Sequence, residues 1–168
     1  MVKEIICVTT RPLKLKKRLE ASLGIKISSR LKNIIIEGSP EEEYIAEQVI
    51  LALDLGFSLQ EALSIKEEEF LFEILNIKEH TKSHNLERVR GRIIGEKGKT
   101  IATLSGLTGC YLKLNENQLG IIGPPEIMKI TQEALTSLIN GSKTANVYAF
   151  LEKKHPEEIG DLGLKKKE

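Results

Sequence analysis

A short glycine-containing segment carries the residues of this chain that are best suited to binding a charged ligand. Gly95 and Gly98 bracket the charged pair Glu96 and Lys97, and the segment opens directly onto a predicted helix that begins at Lys99. Glycine lets the backbone adopt conformations closed to other residues, and it lets a ligand approach without a Cβ in the way. The first turn of a helix presents N–H groups without helical partners and a partial positive charge. This combination predicts a site for phosphate groups.

Two classes of phosphate ligand compete for this segment, and the first is a nucleotide. Gly98, Lys99 and Thr100 resemble the end of a nucleotide-binding P-loop, whose pattern is Gly-x-x-x-x-Gly-Lys-Ser/Thr. That pattern requires a glycine at position 93, where this chain has Ile93. The charged stretch 86–92 is also unlike the apolar strand that precedes a P-loop. A nucleotide-binding protein is therefore the less favoured alternative.

The second class is single-stranded RNA, because residues 93–112 resemble the KH-domain pattern I-I-G-x-x-G-x-x-I-x-x-I-x-x-x-T-G-x-x-I. The GxxG loop of a KH domain clamps the backbone of about four nucleotides. The resemblance implies that an aliphatic groove beside the loop receives the bases, and that main-chain groups near 112–114 read their edges. Core packing is the alternative role for Ile101 and Leu104. The candidate groove residues are Ile94, Ile101, Leu104 and Leu112.

The chain also repeats itself at an offset of 85 residues. Three pairs of glycines coincide at this offset: Gly24 with Gly109, Gly38 with Gly123, and Gly56 with Gly141. Apolar positions between them stay in phase, which indicates a duplicated unit. Each copy predicts an opening strand, an amphipathic helix, two strands joined by a turn, and a longer helix. We therefore predict an α+β fold of two tandem type I KH-like units, each a three-stranded sheet with helices on one face.

The boundaries of the predicted elements follow from turn residues and apolar spacing. The first copy has strands 4–9, 25–29 and 33–37 with helices 13–23, 41–54 and 59–65. The second has strands 70–78, 110–114 and 118–122, helix 99–108, a longer helix closed by Gly141, and helix 144–153. The predicted domains are 1–69, a KH-like unit with a connecting helix; 70–155, an RNA-binding KH domain; and 156–168, a flexible basic tail.

The two copies differ where the phosphate-binding loop would lie. The second copy inserts residues 79–98 between its opening strand and its helix. The first copy has Thr10-Arg11-Pro12-Leu13 at the position of the glycine loop. A β-branched residue and a proline cannot reproduce a glycine loop. The first unit is therefore predicted to be degenerate.

A net charge of only +1 hides two basic stretches. Residues 11–32 carry eight basic residues against Glu20 alone, and residues 82–99 carry six against Glu87 and Glu96. This segregation suggests a surface that faces a polyanion. In the first stretch a basic helix is a candidate for a second RNA contact, with a solvated helix face as the alternative. The candidates there are Lys14, Lys17 and Arg18.

Composition excludes several functional classes. The 168 residues are 40% hydrophobic and 29% charged, which predicts a soluble globular protein without a membrane span or signal peptide. Two cysteines cannot build a disulfide scaffold, so a reducing cytoplasm is expected. His80 and His84 lack further ligands nearby, and no Ser–His–Asp or paired-carboxylate arrangement indicates catalysis. We expect a cytoplasmic, non-enzymatic protein without a metal or other cofactor.

The predicted RNA contacts lie in the inserted loop, in the residues just before it and in the strand that follows the helix. They are Arg88, Arg90, Arg92, Ile94, Gly95, Glu96, Lys97, Gly98, Lys99, Thr100, Leu112 and Lys113.

Residues 86–95, 121–123, 138–141 and 147–152, with the joint 55–63, are similar to the archaeal relatives of the Partner-of-Nob (Dim-two) family of ribosome-assembly factors. The resemblance covers most of 50–153 and is weaker before. It implies a two-KH protein that binds the 3′ region of small-subunit ribosomal RNA during maturation and assists the endonuclease that makes the final cut. It also implies association with the α subunit of translation initiation factor two.

Within this family the RNA-contacting stretch corresponds to Arg88, Arg92, Gly95, Lys97, Gly98 and Lys99. The first repeat departs from the family, so its role in RNA binding stays open. The alternative function is a KH adaptor whose first repeat docks a translation or assembly factor.

Overall fold

The computed structural model describes residues 2–161, with the side chains of residues 2–154. The chain forms two compact units that divide after Phe72. The first contains β1 (Val2–Ile6), α1 (Arg11–Lys14), α2 (Lys16–Leu23), β2 (Lys26–Arg30), β3 (Asn33–Glu37), α3 (Pro40–Leu55) and α4 (Leu59–Glu67). The division falls within β4 (Leu71–Asn76), which is followed by α5 (Ile77–His80), α6 (Leu86–Ile94), a 3₁₀ turn (Glu96–Gly98), α7 (Lys99–Thr108), β5 (Tyr111–Asn115), β6 (Gln118–Gly123), α8 (Pro125–Ile139) and α9 (Thr144–Asp161).

The first sheet has the order β1-β3-β2, with both pairs of strands antiparallel. Ile34 and Ile36 of the central strand are buried, as are Ile5 and Ile27 opposite them. Side chains alternate between the faces of a strand, so neighbouring residues lie on the other face, where Ile6 is 74% exposed. Burial on one face alone is what helices packed against one side of a sheet produce.

Local residues delimit the long helix α3. The side chain of Ser39 accepts a hydrogen bond from the Glu42 N–H, and the Glu42 carboxylate accepts one from the Ser39 N–H at 2.9 Å. This reciprocal cap satisfies two N–H groups that the helix start would leave without partners. The backbone hydrogen bond also lowers the pKa of Glu42 below its usual range. At the other end Gly56 stops the helix.

The second sheet has the order β4-β6-β5, and β5 and β6 form an antiparallel hairpin with a turn at Glu116 and Asn117. One core joins this sheet to the helices. Its contributors include Val89 of α6, Leu104 of α7, Ile121 of β6, Leu135 of α8 and Leu151 of α9.

The predicted α+β architecture of three-stranded sheets with helices is confirmed, with local differences that have identifiable causes. β1 ends at Ile6 rather than at residue 9, because the N–H groups of Val8 and Thr9 donate to a side chain instead of a strand. The predicted helix 13–23 is two helices that meet at Leu15. β4 ends at Asn76, whose side chain caps α5 by accepting from the Lys78 N–H.

The C-terminal helix is longer than predicted. α9 continues to Asp161, beyond the predicted end at 153. Residues 162–168, the remainder of the predicted flexible basic tail, lie outside the described residues.

Candidate nucleic-acid interface

Helix α6 leads into the glycine loop. The side chain of Asn85 caps its start by accepting from the Arg88 N–H at 3.0 Å. Val89 and Ile93 are buried one helical turn apart, so they fix the helix to the core. Because a helix and not a strand precedes the loop, the strand–loop–helix arrangement of a nucleotide P-loop is absent here.

The loop itself is a tight turn held in a left-handed backbone conformation. Gly95, Lys97 and Gly98 have φ angles of 73°, 52° and 75°. The side chains of Glu96, Lys97 and Lys99 are exposed. The turn therefore presents two cations and the N-terminal end of α7 to solvent, which is the arrangement that binds phosphate.

The two glycines are required for different reasons. A Cβ on Gly95 would lie 2.1 Å from Thr100 Oγ1 and 2.8 Å from the Thr100 backbone nitrogen, so Gly95 lets the loop pack against the first turn of α7. A Cβ on Gly98 would meet nothing within 4 Å. Gly98 is needed for its backbone angle, and the space above it is open to a ligand.

A groove of about 450 Å³ lies beside the loop. It is lined by Arg90, Ile94, Leu114, Glu116 and Asn117. Ile94 is 39% exposed, which is unusual for isoleucine in a folded unit and places an apolar surface within the groove. The groove therefore combines aliphatic and polar side chains next to a cationic turn.

Two hydrogen bonds fix the wall of this groove. Arg90 Nη1 donates to Asn117 Oδ1 at 2.7 Å, and the Ile77 N–H donates to the Asn117 carbonyl oxygen at 2.8 Å. The β5–β6 turn is thereby held by both α5 and α6. These two hydrogen bonds, together with the hairpin itself, set the distance between the β5–β6 turn and the glycine turn.

The three predicted arginines of α6 have different surroundings. Arg88 is exposed, whereas Arg90 is half-buried at the groove. Arg92 is also half-buried, and its Nη1 donates to the Leu138 carbonyl oxygen at 3.4 Å, near the end of α8. Arg92 therefore has a role in holding the fold, whatever it does toward RNA.

The other predicted contacts divide between surface and core. Lys113 is exposed on β5, Leu112 is half-buried against the core, and Thr100 is buried beneath the loop. Of the two roles left open for Leu104, its 1% exposure supports core packing. The sequence analysis gave Leu114 a main-chain role only, and it did not assign Glu116 or Asn117 to the groove. No periodic signal places Glu116 and Asn117 there, because the contact that ties their turn to α6 joins residues 27 apart.

The corresponding loop of the first unit is closed by a carboxylate. Asp54, near the end of α3, accepts from the Val8 N–H at 2.9 Å, from the Thr9 N–H at 2.7 Å and from Thr9 Oγ1 at 2.7 Å. Arg11 Nη1 donates to the Gly56 carbonyl oxygen at 3.1 Å. Consecutive N–H groups that could meet a phosphate are thus occupied from within the chain.

The basic helix of the first unit is accessible. Lys14, Lys17 and Arg18 are all exposed. Between them, the Nζ atom of Lys16 lies 3.9 Å from Oε1 of Glu20, which is one turn further along the helix. The candidate cations therefore form a surface that solvent or a polyanion can reach.

Other reactive groups are buried or dispersed. Burial, assisted by the charge of Asp54, raises the pKa of the Cys7 thiol to about 11, and burial raises that of Cys110. Both thiols are therefore protonated near neutral pH.

Residues 2–154 contain no group of three or more His, Cys, Asp or Glu side chains that could hold a metal ion. None of the described helices is long and apolar enough to cross a bilayer.

The different roles of the two glycines predict different costs of substitution. Gly98→Ala should destabilise the chain by about 1 kcal/mol, the cost of a left-handed backbone for a residue with a Cβ. Gly95→Ala should cost about 1–3 kcal/mol more, because its Cβ also collides with Thr100. Urea unfolding of the two variants measures the difference. Equal midpoints would contradict the packing role of Gly95.

Comparison with known proteins agrees with this geometry. A family model for the second KH domain of PNO1, described as the eukaryotic type KH domain (KH domain type I), matches residues 71–156, just over half of the chain. A KH domain-containing protein of Methanocaldococcus jannaschii is 30% identical over 145 residues, which are 82% of this chain and 64% of that protein. The pre-rRNA-processing protein pno1 of Aspergillus fumigatus is 32% identical over 111 residues, which are 64% of this chain and 44% of that protein.

This chain thus spans less than two thirds of the length of these curated relatives. Among solved structures, one from a Pyrococcus horikoshii complex of a/eIF2α, aDim2p and rRNA matches with a TM-score of 0.84 and 26% identity. The match covers 94% of this chain and 95% of that one. The resemblance drawn from the sequence is confirmed: the chain belongs to the PNO1 (Dim2) family of KH-domain RNA-binding proteins of pre-rRNA processing.

Proposed function

We propose that this chain binds single-stranded RNA in the 3′ region of small-subunit ribosomal RNA, in the cytoplasm, and assists the endonuclease that matures that end. It acts by binding, without catalysis of its own. The observation that carries the proposal is the exposed left-handed turn 95–98, with two cations and a groove of aliphatic and polar side chains beside it. The pre-rRNA-processing name of the Aspergillus fumigatus relative and the rRNA in the Pyrococcus horikoshii complex support the choice of RNA.

The phosphates of the RNA would be held at the turn. The N–H groups of Gly98 and Lys99 donate to the carbonyl oxygens of Gly95 and Glu96 within the turn. The attraction for phosphate would therefore come from the positive end of α7 and from Lys97 and Lys99, which stand on either side of Gly98. A sugar–phosphate chain can approach Gly98 closely because nothing occupies the space where its Cβ would be. These contacts fix the position of the RNA but read no sequence.

The bases would enter the groove. Ile94 and Leu114 supply apolar surface against which unstacked bases can pack. β5 is an edge strand of its sheet, so the main chain near Leu112 and Lys113 has one side without a strand partner among the described residues. Such groups can form hydrogen bonds to base edges.

A charge reversal within the turn tests this function. Lys97→Asp replaces a phosphate-binding cation with a repulsive anion, and aspartate tolerates the left-handed backbone at position 97. We expect the affinity for an oligonucleotide of the rRNA 3′ region to fall about tenfold or more at low salt. Fluorescence anisotropy measures the affinity, and circular dichroism monitors the fold.

Lys97→Asn is the matched control, because asparagine has the same shape as aspartate and the same backbone tolerance but no charge. It should lose less affinity than Lys97→Asp. A scrambled oligonucleotide of the same composition tests whether the rRNA sequence matters. Wild-type affinity in Lys97→Asp, or equal binding of the scrambled RNA, would contradict the proposal.

The first unit would add sequence-independent phosphate contacts through Lys14, Lys17 and Arg18, since its own loop is closed by Asp54. Replacing all three cations by alanine should lower the RNA affinity and reduce the slope of log K against log salt by about 0.7 for each phosphate that is no longer neutralised. The control removes the same number of charges from the hairpin of the same unit, at Lys26, Arg30 and Lys32. An unchanged slope in the helix variant would identify a solvated helix face instead.

A second candidate function is that of an adaptor for a protein partner. The a/eIF2α protein in the Pyrococcus horikoshii complex supports an association of this chain with the α subunit of translation initiation factor two. The processing endonuclease is the other candidate partner. Lys97→Asp distinguishes the two functions, because an adaptor role predicts that partner binding persists when RNA binding is lost.

A further inference from the structure

The groove beside the glycine turn contains a carboxylate. Of the five described residues that line it, Glu116 is the single acid. It stands at the first position of the β5–β6 turn with a φ angle of 51°. A carboxylate in a groove that receives a polyanion repels the phosphates, so it lowers affinity unless it makes a compensating contact.

The turn itself does not require an acid at this position. The repeat places Leu31 at the equivalent position of the first unit, where it has a φ angle of 58° and is 98% exposed. Both turns therefore accept a residue other than glycine in a left-handed conformation. What differs is the surroundings: in the first unit no helix precedes the degenerate loop, whereas Glu116 shares a groove with Arg90 of α6. The backbone conformation therefore does not account for an acid at position 116.

The turn that carries Glu116 is tied to Arg90 through the next residue. Its neighbour Asn117 accepts from Arg90 Nη1 through the side chain and from the Ile77 N–H through the main chain. A guanidinium has five N–H donors, so the bond to Asn117 leaves others that can face the groove. The residues that line the groove therefore include a hydrogen-bond acceptor, Glu116, and a donor, Arg90.

We propose that Glu116 and Arg90 read one base of the bound RNA and select cytosine or adenine over uracil; this inference rests on the proposed RNA-binding function. Cytosine and adenine both carry an exocyclic amino group next to an unprotonated ring nitrogen. The Glu116 carboxylate accepts from the amino group, and Arg90 donates to the ring nitrogen. Uracil has a carbonyl oxygen and a ring N–H at these places. Its carbonyl oxygen would face the carboxylate without a shared proton, and its N–H would face a donor.

The test compares binding of labelled octamers of cytidine and of uridine by fluorescence anisotropy, at one salt concentration and neutral pH. The wild-type chain should bind the cytidine octamer about tenfold or more tightly. Glu116→Gln keeps the shape of the side chain but replaces an oxygen acceptor with an amide donor, which suits the uracil carbonyl. We expect the ratio of the two affinities to fall to about threefold or less.

Glu87→Gln is the matched control, because it removes an exposed carboxylate of α6 that does not line the groove. It should change both affinities by the same factor and leave their ratio as in the wild type. An unchanged ratio in Glu116→Gln, or a wild-type chain that binds both octamers equally, overturns the inference and leaves the RNA-binding function intact. A wild-type chain that binds neither octamer overturns both.

Discussion

The left-handed backbone of the turn between α6 and α7 is the constraint on which the rest of the second unit depends. Gly95, Lys97 and Gly98 all have φ angles between 52° and 75°, and a residue with a Cβ in this conformation costs about 1–2 kcal/mol. Lys97 has a Cβ, so it incurs this free-energy cost, which glycine avoids. The turn persists because Gly95 packs directly on Thr100, while Val89 and Leu104 anchor the helices on either side in the core. Gly95 packs on the side of the turn that faces Thr100, and the side chains of Glu96 and Lys97 are exposed to solvent.

The two units have the same strand order but differ in the segment where the phosphate site is proposed. In the second, helix α6 precedes the turn and the hairpin is tied to it through Arg90 and Asn117, so a groove forms. In the first, β1 leads directly to a loop whose N–H groups are taken by Asp54. The same sheet order is present in both. The difference therefore lies in the segment between the first strand and the next helix, and not in the architecture.

Regular apolar spacing made the sheets, α7 and α3 predictable from the sequence. Glycines at a common offset predicted two similar units, and the two sheets have the same strand order. The spacing of Gly95 and Gly98 coincides with a turn of positive φ angles. The end of β1 could not be predicted in this way, because it depends on Asp54, 45 residues from Thr9 along the chain. Long-range side-chain contacts of this kind leave no periodic signal. The groove wall was missed for the same reason, since the Arg90–Asn117 contact joins residues 27 apart.

Leu104 shows how burial decides between two roles that the sequence leaves open. Its position fits a groove residue, yet it is buried on the inner face of α7, where helical spacing alone would put it. Ile94, by contrast, is exposed because it lies on the face of α6 that carries Arg90, one turn earlier, and not on the face of the buried Ile93. Burial is decided by the packing of neighbouring elements, and a one-dimensional motif does not contain that information.

The central claim is that the turn 95–98 is where RNA is gripped, and amide chemical shifts test it most directly. The isotope-labelled chain is titrated with a single-stranded oligonucleotide from the 3′ region of small-subunit rRNA. The account predicts that the Gly98 and Lys99 signals move in proportion to bound RNA, while those of Val8 and Thr9, held by Asp54, stay in place. Saturable RNA binding that leaves Gly98 and Lys99 unmoved would contradict it.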